Sequence, residues 1–440
     1  MARYIPPCLI SLLALTACVH GKPFGVLTYE PVADVETIPQ STESIREVEF
    51  TPSDPKILQL RKEKFKKDFY SIWHRKKILS TQEEQLADAA LNQGKYGENL
   101  QPRDEGWLKA QIDNANLDKI QSLNRPGIIV HNTNLRTLPT LAPCFELPAQ
   151  AGEGFPFDYL QYSLLNLGEP VLISHYSKDG AWVFVETNTE ALGWVRSSDV
   201  GFVSPRQIQE IEKKDLVVLT EDRSPIYYPM GRYWDESRIG EVLPLERQGG
   251  GAVSVLLPIP HGDSVEFRTV NLRKNLVLTR PLNFTQNEVS FVVAHFIGKP
   301  YGWGGILGNR DCASMIKDFY ALFHILLPPT SKYQARRGES LDLSTLPASG
   351  KVEKLAKLGK PFQTLLYKKG HIGIYAGIRN GRPLLFHSFW GVKTKDGKTE
   401  GRNLVAKTAF TSLEYGKDLP FFDREKGSLL NSLESAVFLH

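Results

Sequence analysis

Cysteine is scarce in this chain of 440 residues: Cys8, Cys18, Cys144 and Cys312 are all it has. So few exclude a disulfide-built scaffold. None stands at a spacing with histidine that would hold zinc, and no metal or cofactor is expected. A surplus of one charge is missing too. The 53 Lys and Arg offset 49 Asp and Glu, leaving a net charge of +4. That argues against a strong polyanion partner, nucleic acid included. Arg61–Lys77 is locally basic, but its charges alternate with apolar residues at helical spacing, as on a solvated helix face. Long hydrophobic runs are also absent. Leu9 to Ala17 is a short apolar run, too short to span a membrane as a mature helix.

What is present begins with that run. With Arg3 before it, it reads as an export signal over residues 1–17. It ends Leu15-Thr16-Ala17-Cys18, which resembles the lipobox of bacterial lipoproteins. The resemblance implies lipidation of Cys18 and a membrane anchor. Val19 follows Cys18 where an aspartate would signal inner-membrane retention, so the expected site is the outer membrane, facing the periplasm. The alternative is a plain secretory signal that contains a cysteine. Signal removal leaves Cys144 and Cys312 as the unmodified pair. Cys144, between Pro143 and Phe145, reads as a small packing residue.

Polarity and hydrophobic period divide the rest. Residues 18–52 are polar and aperiodic and read as a tether. Residues 53–125 turn helical: Ile57, Leu60, Phe65, Phe69, Ile72 and Trp73 recur at helical spacing, and Ser80-Thr81-Gln82-Glu83 opens a second helix. This is a small helical clasp. Residues 126–203 change to short strands with a turn at Asp179-Gly180. Residues 204–280 repeat that spacing, with strands at Leu216–Leu219, Gly240–Leu245 and Ala252–Leu257. Residues 281–440 mix helix and strand. The fold class is multidomain α+β.

The last unit carries the chemistry. Lys299-Pro300-Tyr301-Gly302-Trp303-Gly304-Gly305 opens a glycine-rich loop that ends at Asp311-Cys312. An apolar helical pattern through Leu326 starts there, so Cys312 stands at a helix N-terminus, where a thiolate is favoured. Downstream, Gly370-His371 and Leu385-Phe386-His387 lie in two strands joined at Asn380-Gly381, a strong hairpin signal. A thiol nucleophile needs a base and a group that orients the base. Cys312, His371 and His387 can fill these roles, with the Cys312 backbone N–H as an oxyanion donor.

Three blocks carry a further resemblance: Pro300-Tyr301-Gly302-Trp303-Gly304-Gly305, Asp311-Cys312 and Gly370-His371-Ile372-Gly373-Ile374-Tyr375. The C-terminal unit resembles NlpC-type bacterial cell-wall cysteine peptidases. Asp-Gly-x-Trp…Gly-Trp-Val resembles bacterial SH3-like domains. The whole arrangement is similar to γ-D-glutamyl-L-diamino-acid endopeptidases with tandem SH3-like barrels. The resemblance implies a papain-like α+β catalytic domain at 281–440, SH3-like barrels at 126–203 and 204–280, and murein stem peptides as substrates. It also implies Tyr301 near the oxyanion. Asp311 and Ser314 would bind the peptide, with Asp311 suited to the free amine of L-alanine. Ala313-Ser314 departs from the Ser-Gly that often follows the cysteine. Asp158 and Tyr159, in the first barrel, would wall the cleft and restrict it to short peptides. Arg136 and Arg310 are candidate carboxylate binders. Two alternatives stand beside this reading: a murein-binding lipoprotein with an idle cysteine domain, and an acyl or amide transferase on the same fold. No residue pattern signals an oligomeric state.

Overall fold

The computed structural model describes residues 26–228, 231–249 and 251–439. The expected signal and Cys18 lie outside the described residues. From Val26 onward the expected tether is instead bound to the C-terminal unit. Val26–Thr28 pairs in parallel with the strand Thr399–Ser412, Val26 opposite Gly401. Asp34 then accepts from the Ser412 backbone N–H at 2.6 Å, and Gln40 from that of Phe410 at 2.9 Å. Polar composition here marks an edge whose backbone is paired, not a free linker.

The clasp forms three main helices, Pro55–Tyr70, Gln82–Ala90 and Glu105–Asn114. Each starts at a side-chain cap: Asp54, Thr81 and Asp104. The second has a full capping box between Thr81 and Glu84. Phe65, Phe69, Ile72 and Trp73 are buried as their spacing predicts, whereas Ile57 and Leu60 are exposed. The first helix therefore buries only its C-terminal half. The Trp73 indole donates to the Gly127 carbonyl at 2.7 Å, fastening the clasp to the first barrel.

Two small β-units follow. The first is built on Arg125–Ile129, Thr133–Arg136, Gln161–Leu165, Pro170–Tyr176, Trp182–Thr187 and Leu192–Arg196. Ile129, Leu135, Val171, Ile173, Val183, Val185 and Val195 fill its core. The second includes Leu216–Leu219, Val242–Gly249, Ala252–His261 and Ser264–Arg273, around Val217, Leu243, Val253, Val255 and Leu257. Phe202 and Ser264 link the two in a parallel bridge.

The C-terminal unit centres on a seven-stranded sheet. In spatial order its strands are Val26–Thr28, Thr399–Ser412, Arg382–Asp396, His371–Arg379, Thr364–Lys368, Ser435–Phe438 and Glu339–Asp342. Asn380 and Gly381 turn the central hairpin with φ of 49° and 73°, as a type I′ turn requires. One face of the sheet, including Ile372, Ile374, Leu384 and Phe386, packs with Met315, Ile316 and Phe319 of the helix Cys312–Ala321. The other, with Tyr375, Leu385 and Phe389, shares a core with Leu355 and with Val32 and Val35. The helix stops at Ala321 rather than at the expected Leu326, and His324 takes a left-handed conformation (φ 54°) just beyond it.

Candidate active site

Cys312 is the first residue of its helix, and Asp311 is the cap. The Asp311 carboxylate accepts from the Ser314 backbone N–H and hydroxyl, both at 2.8 Å, while the Ser314 hydroxyl accepts from the Asp311 N–H at 2.9 Å. The other Asp311 oxygen accepts from the Gly304 N–H at 2.9 Å, holding the glycine loop against the start of the Cys312 helix. The backbone N–H of Ile372 and those of the helix end point to the Cys312 sulfur. They favour a thiolate, as the helix position predicts. Burial and the Asp311 carboxylate outweigh them and push the thiol up to about 12. The expected pre-ionised thiol is therefore not what this environment produces.

His371 and His387 stand on neighbouring strands, and their facing ring nitrogens, Nε2 of His371 and Nδ1 of His387, are 2.8 Å apart. The far nitrogen of His387 lies 3.0 Å from the Thr411 hydroxyl on the next strand. Register explains the alignment. Ile374 pairs with Phe386, and His387 pairs with Ala409, so His371, His387 and Thr411 follow a diagonal across three strands. A donor chain running His371 Nε2–H to His387 Nδ1, then His387 Nε2–H to Thr411, leaves Nδ1 of His371 bare as a base. Burial holds both imidazoles neutral: His371 is lowered to about 3, helped by Lys368, and His387 lies well below the usual range.

Cys312 and His371 line one cleft of about 510 Å³ between the C-terminal unit and the first barrel. Tyr301, Trp303, Asp311, Trp390 and Tyr415 line it from the C-terminal unit, and Phe157, Tyr159 and Gln161 from the barrel. The wall is bonded in place. The Trp303 indole donates to the Asp158 carbonyl at 3.0 Å, and the Gln161 amide donates to the Gly304 carbonyl at 2.9 Å. Phe157 meets Trp303 and Trp390 edge-on, with centroids at 5.2 and 5.7 Å. Glycine makes this approach possible. Gly304 has φ of 53°, and a Cβ there would sit 2.6 Å from the Gln161 carbonyl oxygen. Burial, then Asp311 and Cys312, hold the Tyr301 phenol protonated, so it stays a hydrogen-bond donor beside the thiol.

The expected binding residues divide. Asp311 and Tyr159 line the cleft. Asp158 does not: it is 2 % exposed, ion-paired to Arg136 at 2.5 Å, and accepts from the backbone of Cys144 and Leu160. Its carboxylate shapes the wall from behind. Ser314 is 5 % exposed, and its hydroxyl is taken up by the helix cap. Arg136 and Arg310 are structural rather than ligand-facing. Arg310 grips Asp222 of the second barrel with two bonds of 2.7 Å and Asp318 of the Cys312 helix with a third. The cations that do line the cleft are Lys368, Lys393, Arg402 and Lys426. Thr411 and Tyr415 were also missed. Both follow from strand register and chain return, which no local motif encodes. Cys144 is buried and, among the described residues, unbridged.

Known proteins share this organisation in parts. Residues 7–119 match the family model of the NLPC_P60 N-terminal stabilising domain. Residues 143–196 match an SH3 domain of SH3b1 type, and residues 204–249 one of SH3b2 type. No curated protein matches the sequence. Among solved structures, an NlpC/P60 endopeptidase from Photobacterium damselae subsp. piscicida is similar in fold at a TM-score of 0.82. It is 24% identical, over 94% of this chain and 99% of that one. An NlpC/P60 family protein from Bacillus cereus is 18% identical over 64% of this chain and 83% of its own, at a TM-score of 0.43. The chain thus carries matches to an NLPC_P60 N-terminal stabilising domain and to two SH3-type domains, on a fold similar to that of an NlpC/P60 endopeptidase.

Proposed function

We propose that this protein is a cysteine peptidase that hydrolyses the γ-D-glutamyl–diamino acid bond of murein stem peptides. The observation that carries this reading is the meeting of Cys312 and His371 in one walled cleft, with the His387–Thr411 chain behind His371. Nδ1 of His371 takes the thiol proton as sulfur attacks the amide carbon. The helix-end N–H of Cys312 and the Tyr301 phenol stabilise the oxyanion. The imidazolium then protonates the departing amine, and water attacks the thioester with His371 again as base. Because thiol and imidazole both rest neutral, proton transfer accompanies attack rather than preceding it. The barrel wall limits the cleft to short peptides, and Asp311 faces the free amine of L-alanine.

The test is release of diaminopimelate from L-Ala-γ-D-Glu-meso-diaminopimelate by protein lacking the first residues. Wild type is expected to release it and Cys312→Ala to lose release; equal release by both, or none by either, rejects the reading. The lipid anchor at Cys18 is proposed separately, from the lipobox. Cys18→Ala should move the protein from the membrane fraction to the soluble one, and continued membrane retention counts against the anchor.

A further inference from the structure

The cleft carries more positive charge than its own acids offset. Lys393 and Arg402 lie directly opposite each other on adjacent antiparallel strands, and both line the cleft. Like charges in that relation repel. Glu400 is the acid closest to hand, 3.5 Å from Lys393 and 3.8 Å from Lys426. Arg402 gives one guanidinium bond to the Gly401 carbonyl at 2.9 Å and feels the more distant Glu400, Glu153 and Asp423. Lys368 adds a third cation. It lines the same cleft, is repelled by Lys393 and Arg402, and is attracted by Glu434. A folded protein that keeps three cations together, partly withdrawn from water, holds an anion site in waiting.

Position says which anion. Lys368 is the cross-strand partner of His371, so their side chains share a face. His371 is the group that protonates the departing amine, and the residue bearing that amine must lie beside it. On the reading proposed above, that residue is the diamino acid. We infer that Lys368, Lys393 and Arg402 form the subsite for the carboxylates of the leaving diamino acid. The site would favour peptides whose diamino acid carboxyls are free over those in which they are amidated or extended.

Binding to the Cys312→Ala variant reads this subsite without turnover, so its failure is distinct from failure of the proposed hydrolysis. Calorimetry would compare L-Ala-γ-D-Glu-meso-diaminopimelate with the same tripeptide amidated at both diaminopimelate carboxyls. The free acid is expected to bind at least about tenfold tighter, in line with loss of a charge-assisted bond. Adding Lys393→Gln and Arg402→Gln should bring the two ligands within about twofold, while the amide binds as before. Lys368→Gln, whose ammonium makes no hydrogen bond among the described residues, tests the site in a second background. Equal affinity of acid and amide in Cys312→Ala overturns the inference, as does a preference that survives the substitutions. A third probe, amidated only at the glutamyl carboxyl, guards the assignment. If that probe alone loses affinity, the cations read glutamate and the leaving-residue subsite is wrong.

Discussion

His371, His387 and His324 are held neutral by burial, and this has a sign. His371 and His324 are lowered to about 3, and His387 is held well below the usual histidine range. An unfolded chain protonates its histidines near 6.5. Between that value and about 3 the unfolded state binds protons that the folded state refuses. Stability is therefore full above about pH 6.5 and is lost as pH falls toward 3. Thermal melts at several pH values between 7.5 and 4.5 should show Tm falling steadily. His324 isolates one contribution: its ring stacks on Phe65 at 4.7 Å, and both its nitrogens are buried without partners. His324→Asn, which tolerates the left-handed backbone, should flatten the pH slope by about one proton. An unchanged slope would assign the acid lability elsewhere. Cys312, His371 and His387 were legible in the sequence because each sits beside a local signal: a loop end, a Gly-His strand start, a hairpin. Thr411 and Lys368 were not, because their partners are set by cross-strand register. Asp158 misled for a related reason. Its neighbours Phe157 and Tyr159 line the cleft, but whether a side chain faces the cleft or the core depends on packing that spacing does not reveal.

At the scale of elements, the glycine loop is where the first barrel and the Cys312 helix meet. Gly304→Ala puts a Cβ 2.6 Å from the Gln161 carbonyl oxygen at a backbone φ of 53°. A cost of about 1–3 kcal/mol is expected from the strain alone, with a further loss of turnover as the wall and the Asp311 cap shift. Chemical denaturation and alkylation of Cys312 would read the two effects. Stability and alkylation rate both matching wild type would show that the loop can move aside. Strands and helices of this unit were well marked by period and caps. The helix end was not: the apolar pattern runs past Ala321, but the chain turns at His324, and hydrophobic residues continue in the turn because they remain in the core.

At the scale of the molecule, the two barrels have different tasks. The first walls the cleft, and the second braces the Cys312 helix. Asp318 on that helix takes Arg310 at 2.7 Å and Arg238 of the second barrel at 2.9 Å, and all three are buried. Asp318→Ala leaves two buried guanidinium groups short of a partner. A loss of about 3–5 kcal/mol is expected, measurable by urea unfolding; a loss below about 1 kcal/mol would mean that the brace is dispensable. The tandem barrels were legible from strand spacing, but this division of labour was not. It rests on contacts between residues far apart in the chain.

The N-terminal strand adds a constraint of timing. Thr28 bonds Asn403 across 375 positions of sequence, so an edge of the seven-stranded sheet is supplied by nearly the first described residues. On a ribosome, that edge emerges early and its partner emerges late. The sheet cannot close until almost the whole chain has been delivered, and a contact of such range forms slowly. The cleft is thus completed only after its wall and brace have been synthesised, and a truncated chain would lack the partner of its own first strand.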